Sequence, residues 1–148
     1  MKYKNIFITG STGVVGKPLL KKLIENGHNV YGLSRSDENK KILESQGVSV
    51  ISGNVLTSNL IDQFENIDID AIFHVAGVNK MCSKNPQYMF DANIDGTKNI
   101  LNLGNQLGIS KFVYTSSAVT LGEDLGSIGN ESSTHRGYYL SKYEESKF

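Results

Sequence analysis

The chain has 148 residues, enough for one domain that buries about two-thirds of its unfolded surface. Fifteen basic residues balance fifteen acidic ones and neither sign gathers into a block, which argues against a nucleic-acid or membrane partner and leaves a small-molecule substrate as the expected one. A single cysteine, Cys82, precludes an internal disulfide and has no His or second Cys at ligand spacing. The apolar run in MKYKNIFITG is too short for a signal peptide or a membrane span, so a cytoplasmic protein without a metal site is expected.

Taken in chain order, NIFIT (5–9) reads as a first strand and opens into the glycine-rich TGSTGVVG (9–16). Val15, Leu19 and Leu23 then recur every four residues beside Leu20 and Ile24, with lysines on the other face and Gly27 as a stop, which predicts a helix. NVYGLS (29–34) is a second strand, residues 37–46 a helix ending at Gly47, and VSVIS (48–52) a third strand. A helix over 58–66, a strand AIFHVA (71–76), a helix over 86–107 ending at Gly108 and a strand KFVYTS (111–116) follow. Residues 118–136 have no period, are rich in Gly and Ser, and read as a long loop before GYYLSKYEESKF (137–148). Alternation of short apolar runs with amphipathic stretches predicts a doubly wound parallel sheet ordered 3-2-1-4-5. Its ligand crevice should lie at the C-terminal ends of strands 1 and 4.

The glycine-rich segment lies where a strand becomes a helix, the context that gives such a pattern meaning. Gly10 can make the tight turn, Gly13 can let the backbone approach a diphosphate, and Gly16 can let the helix lie close to the sheet. The N–H groups of Ser11, Thr12, Gly13, Val14 and Val15 would then face phosphate at a helix N-terminus.

The spacing Gly-x-x-Gly-x-x-Gly resembles the cofactor loop of the extended short-chain dehydrogenase/reductase superfamily, whose NAD(P)-dependent epimerases, dehydratases and reductases have a Rossmann-like fold. Further segments agree in order. GNV (53–55) resembles the adenine-side element, HVAG (74–77) the segment after strand 4, NIDGT (93–97) the fourth helix, and YTSSAVTLG (114–122) the segment with the active-site serine. Glu131 falls where a glutamate commonly precedes the tyrosine. Asn54 stands where aspartate is usual, and Leu121 where tyrosine is usual. By this resemblance Asn54, Val55, Ala76, Gly77 and Asn93 join the cofactor site, Asn93 with a structural role in bonding backbone.

Ser34-Arg35-Ser36 occupies the end of strand 2, where an NAD-specific site usually places a carboxylate. A guanidinium there suits a 2′-phosphate, so NADP is expected, with NAD the competing cofactor. Asp37, the acid that could serve NAD instead, is expected to cap the next helix.

The closing segment holds Tyr138-x-x-Ser141-Lys142 and, five residues on, Tyr143-x-x-Ser146-Lys147. Spacing of four puts phenol and ammonium on one helix face. An ammonium about 4 Å away lowers a phenol's pKa of about 10 by roughly three units before desolvation opposes it, which suits acid–base work near neutral pH. Both copies meet that test. By resemblance the lysine is followed by a bulky residue and a glutamate, which selects Tyr138 and Lys142, with Lys142 also on the nicotinamide ribose and Tyr143 as packing. Ser117, five residues before Gly122, is the implied serine that bonds the reacting oxygen, in preference to Ser116. Of His74 and His135, one is expected to be a satisfied strand-end residue and the other a solvated loop residue.

The resemblance implies hydride transfer at a carbinol or carbonyl carbon, with Tyr138 as general acid/base. A non-catalytic NADP(H)-binding regulator or scaffold is the alternative. Relatives continue past the tyrosine helix into a substrate-binding C-terminal region, so the chain is expected to be the N-terminal part of such a domain, with strand 5 as an open edge and no turnover of its own. Helix 4 and the tyrosine helix would carry a homodimer contact, as in many relatives.

Overall fold

The computed structural model describes residues 2–80, 82, 84–122, 126 and 128–148. Part of the expected loop, 123–125 and 127, lies outside the described residues. Five strands, β1 (Asn5–Thr9), β2 (Asn29–Ser34), β3 (Ser49–Ser52), β4 (Ala71–His74) and β5 (Lys111–Tyr114), form one sheet ordered β3-β2-β1-β4-β5. Every neighbouring pair is parallel. This is the expected order, and it seats β1 in the middle of the sheet, between two cores. Alternate residues of a strand face opposite ways, so Ile6 and Ile8 enter one core with Leu20, Leu23, Val30 and Leu43. Phe7 enters a second core with Ile51, Phe64, Ile72, Ile100 and Leu103. Completely buried, Phe7 contributes about 2 kcal/mol of apolar burial, and its ring meets Phe64 edge-on at 5.1 Å.

Helices α1 (Gly16–Glu25) and α2 (Asp37–Glu44) cover the first face. The second is covered by a 3-10 turn (Leu60–Phe64) and by a long helical run. That run comprises α3 (Gln87–Phe90), a π-helical turn (Asp91–Asp95) and α4 (Gly96–Gln106). The expected helix over 58–66 is thus only a 3-10 turn. Gln63 there bonds the backbone N–H and carbonyl of Ser52, tying the turn to the end of β3. Ser36, not Asp37, caps α2 by accepting from the Asn39 N–H. Asp37 is instead the first helical residue, where its charge favours the positive end of the helix. A final helix, α5 (Lys142–Lys147), packs beside the π-helical turn. Among the described residues no helix is long and apolar enough to cross a membrane.

Candidate functional site

The strands β1 and β4 end side by side, and the chain leaves them in opposite directions, toward α1 and toward α3. Gly10 turns with φ +72°, and an added Cβ would stand 2.6 Å from the Ala76 nitrogen. Gly16 is tighter still: a Cβ would reach 2.0 Å from the Gly10 carbonyl oxygen. Only glycine suits either place, because both neighbours are backbone. The result is a cleft of ≈ 720 Å³, the size of a cofactor site. It runs from the glycine-rich turn, past the ends of β2 and β4, to α5.

Of the expected cofactor residues, Gly10, Thr12, Gly13, Val14, Val15, Arg35, Asn54, Val55, Ala76 and Gly77 line this cleft. Three do not. Ser11 is 1% exposed, turned beneath the turn toward Gly32, and its hydroxyl has no hydrogen-bond partner. Asn93 is buried behind the wall: its Oδ1 accepts from the Val78 N–H at 2.7 Å, and its Nδ2 donates to the Val78 carbonyl and to Ser146 Oγ. Lys142 points outward, bonded to Glu145 at 2.7 Å.

The expected catalytic trio is placed elsewhere. Tyr138 is 60% exposed and lies four residues before α5, with the Arg136 guanidinium over its ring. Ser117 caps the 3-10 turn Ala118–Thr120 by accepting from the Val119 N–H. Neither lines the cleft, whereas Ser116, Tyr143 and Lys147 do. This placement has a local cause. Ser141 accepts from the Glu144 N–H, and the Glu144 carboxylate reaches back to the Leu140 N–H at 2.6 Å. This variant of the capping box starts the helix at Lys142 and leaves Tyr138 outside it. The signal is the Ser-x-x-Glu spacing of residues 141–144, legible in the sequence but not used. Glu144, 2% exposed, is also paired with the Arg136 guanidinium, which pins the segment leading into α5. His135 is half-buried, not solvated: its ring packs 4.1 Å from that of Phe148.

Lys147 donates to the Tyr114 hydroxyl at 2.7 Å and to the Thr115 carbonyl at 3.2 Å, with its ammonium beside Gly77. Behind it lies His74 at the end of β4, stacked on Tyr114. The hydrogen bonds here fix one tautomer. Thr97 donates to the Asn93 carbonyl, so His74 Nε2–H must donate to Thr97 Oγ1. His74 Nδ1 then accepts from Thr9, whose oxygen in turn accepts from the Ala76 N–H. Burial, and secondarily the charge of Lys147, push the imidazole down from 6.5 to about 4, so it is neutral at pH 7.

The cleft suits a dinucleotide by its donor set. The N-terminus of α1 has no side-chain cap and no acid in its first turn, so its dipole is open to an anion, although the Lys17 N–H is bonded to the Gly13 carbonyl and Pro18 has none to offer. Among the described residues that line the cleft none is acidic, while Arg35, Lys80 and Lys147 are cationic. Sequence reasoning passed over Lys80, Asn39 and Tyr88, which have no motif of their own and reach the cleft only through folding.

The chain is similar to known proteins in sequence and in fold. The chain is 28% identical over 150 residues to the sterol-4-alpha-carboxylate 3-dehydrogenase, decarboxylating, of Dictyostelium discoideum, covering 97% of this chain and 45% of that protein. It is 32% identical over 148 residues to the 2-alkyl-3-oxoalkanoate reductase of Shewanella oneidensis, covering 99% and 37%. In fold it is similar to the UDP-Glc/GlcNAc 4-epimerase of Campylobacter jejuni, with a TM-score of 0.82 at 22% identity over 97% of this chain and 46% of that one. The chain thus spans less than half the length of these relatives. Residues 6–148 match the description of one family, and the chain belongs to it: the NAD dependent epimerase/dehydratase family.

Proposed function

We propose that this chain forms the cofactor-binding part of an NAD(P)-dependent oxidoreductase, epimerase or dehydratase that acts on a small carbinol or carbonyl compound. One observation carries the reading: a single cleft, with no carboxylate among the described residues that line it, joins an uncapped helix N-terminus at one end to a phenol, an ammonium and a hydroxyl at the other. The nicotinamide, when bound, supplies hydride transfer. The backbone N–H groups of Thr12, Val14 and Val15 hold the diphosphate, the Gly13 N–H being bonded to the Gly10 carbonyl, and Asn54 and Val55 flank the adenine side. Arg35, with no acid among the described residues of the cleft wall, favours a 2′-phosphate and hence NADP. At the far end Tyr143 moves the proton of the reacting oxygen, Ser116 bonds that oxygen, and Lys147, held by the Tyr114 hydroxyl and the Thr115 carbonyl, brings a positive charge to that end of the cleft.

A second reading of the catalytic pair keeps Ser117, Tyr138 and Lys142. Two sequence observations favour it: Ser117 lies five residues before Gly122, and Lys142 is followed by a bulky residue and a glutamate. The two Tyr-x-x-Ser-Lys copies offer a serine and a lysine at the same spacing. A five-residue shift would put Ser141 on Asn93 where Ser146 now sits, and Lys142 on the Thr115 carbonyl where Lys147 now sits.

The test is NADPH and NADH oxidation against a panel of carbonyl and sugar-nucleotide substrates, by a full-length form as wild type, Tyr143→Phe and Tyr138→Phe. A loss of about 10²- to 10⁴-fold confined to Tyr143→Phe supports the geometry. The same loss confined to Tyr138→Phe assigns the work to the first copy. Tight dinucleotide binding without turnover across the panel favours the non-catalytic regulator.

A further inference from the structure

Tyr88 is 52% exposed, lies in α3 and has no place in the motifs above, yet it lines the cleft. Arg35 Nη1 donates to its hydroxyl at 2.7 Å, joining residues 53 apart in sequence from the end of β2 to α3. We propose that Tyr88 is a specificity-determining residue: with Arg35 it forms a two-part clamp for the 2′-phosphate of an NADP-type dinucleotide. The inference rests on the reading of the cleft as a dinucleotide site that prefers NADP, and extends it to a residue on a different element.

The chemistry follows from the donor inventory. A guanidinium has five N–H groups, and the contact with Tyr88 engages one nitrogen, leaving the remaining donors for phosphate oxygens. The Tyr88 oxygen accepts from Arg35, so its own proton is directed away from the guanidinium and can be donated to an anion. Such an arrangement gives a phosphate donors from both sides, whereas the neutral 2′-hydroxyl of NAD gains no charge-assisted bond. The contact also holds a long, exposed side chain in one orientation before the ligand arrives, which removes part of the ordering cost of binding. No carboxylate among the described residues lining the cleft competes for the guanidinium.

The test measures the affinities of NADP+ and NAD+ by calorimetric titration of the chain and its Tyr88→Phe, Arg35→Ala and doubly substituted variants. Tyr88→Phe removes one oxygen from a half-exposed ring, so its denaturant midpoint should equal that of wild type. Its affinity for NADP+ should fall about tenfold while that for NAD+ stays within about twofold. The double variant should lose less NADP+ affinity than the two single losses combined, because the two groups engage one phosphate as a coupled pair. An equal loss for both dinucleotides, or no loss for either, overturns the role of Tyr88. Two results strike instead at the reading beneath it: no loss of NADP+ affinity in Arg35→Ala removes the NADP preference, and failure of wild type to bind either dinucleotide removes the dinucleotide site.

Discussion

The glycine-rich turn at residues 9–16 and the terminal segment at residues 137–148 carry motifs of similar length, and the fold treats them differently. In the turn, backbone meets backbone: a Cβ on Gly10 would strike Ala76, and one on Gly16 would strike Gly10. Shifting the register by one residue would put a side chain where none fits, so spacing alone locates the site. In the terminal segment the pattern is written twice at an offset of five. Five residues turn a helix by about 140°, so two pairs on one helix cannot face the same cleft together. The structure places Tyr143 and Lys147 there and leaves Tyr138 before the helix. A motif made of backbone contacts has one solution, while one made of side chains on a helix has as many as the sequence repeats.

The sharpest way to break this comparison is Gly16→Val. Its Cβ would stand 2.0 Å from the Gly10 oxygen and 2.8 Å from Ser11 Cα, and the loss expected is about 4 kcal/mol, read as a fall in the denaturant midpoint. A midpoint near that of wild type would show that the turn yields, and the contrast between the regions would vanish.

The next effect tests the seam where both regions meet. His74 bonds Thr9 from the turn and feels the charge of Lys147 from α5. Its folded value of about 4 lies below the unfolded 6.5, so the unfolded state binds the proton first as pH falls. The contribution is therefore complete above pH 6.5, declines between 6.5 and about 4, and is gone below that. About 3 kcal/mol should disappear from the unfolding free energy across this window. In Lys147→Met the His74 ring should titrate higher by NMR, because a like charge has been removed. An unchanged titration would mean that α5 does not hold Lys147 near the imidazole.

Asn93→Ala comes third. It leaves the Val78 N–H and carbonyl without their partners and frees Ser146, for about 2 kcal/mol. Hydrogen exchange should quicken at Val78 and in α5 and remain slow in β1 and β4. Uniform quickening would mean that the terminal helix is part of the core. Smallest of all, Tyr138→Phe should change stability by no more than about 0.5 kcal/mol, since its ring is 60% exposed. A larger fall in the midpoint would place that hydroxyl in a buried contact and weaken the contrast between the two copies.

Much of the fold was legible because the apolar period changes from two in the strands to about four in the helices, and because Gly27, Gly47 and Gly108 end α1, α2 and α4 with positive φ. Less was legible where short polar contacts choose between near-equal conformations. Ser36 displaced Asp37 as a cap, and the Gln63 side chain stands at the 3-10 turn where a longer helix was expected. The site divides along the same line. The glycine turn, Arg35 and the Ala76-Gly77 wall could be named in advance because each follows a strand end. Tyr88 and Lys80 could not, since only the packing of α3 and the loop before it brings them to the cleft.

Sequence by itself determined the sheet order, the place of the crevice and the glycines that form its floor, because strand periodicity and backbone clearance depend on residues close in the chain. Tertiary structure alone decided which phenol and ammonium enter that crevice, and that Arg35 meets Tyr88. Those outcomes depend on contacts between residues far apart, Lys147 with Thr115 and Ser146 with Asn93 among them, and the spacing shared by two copies of one pattern does not choose between them.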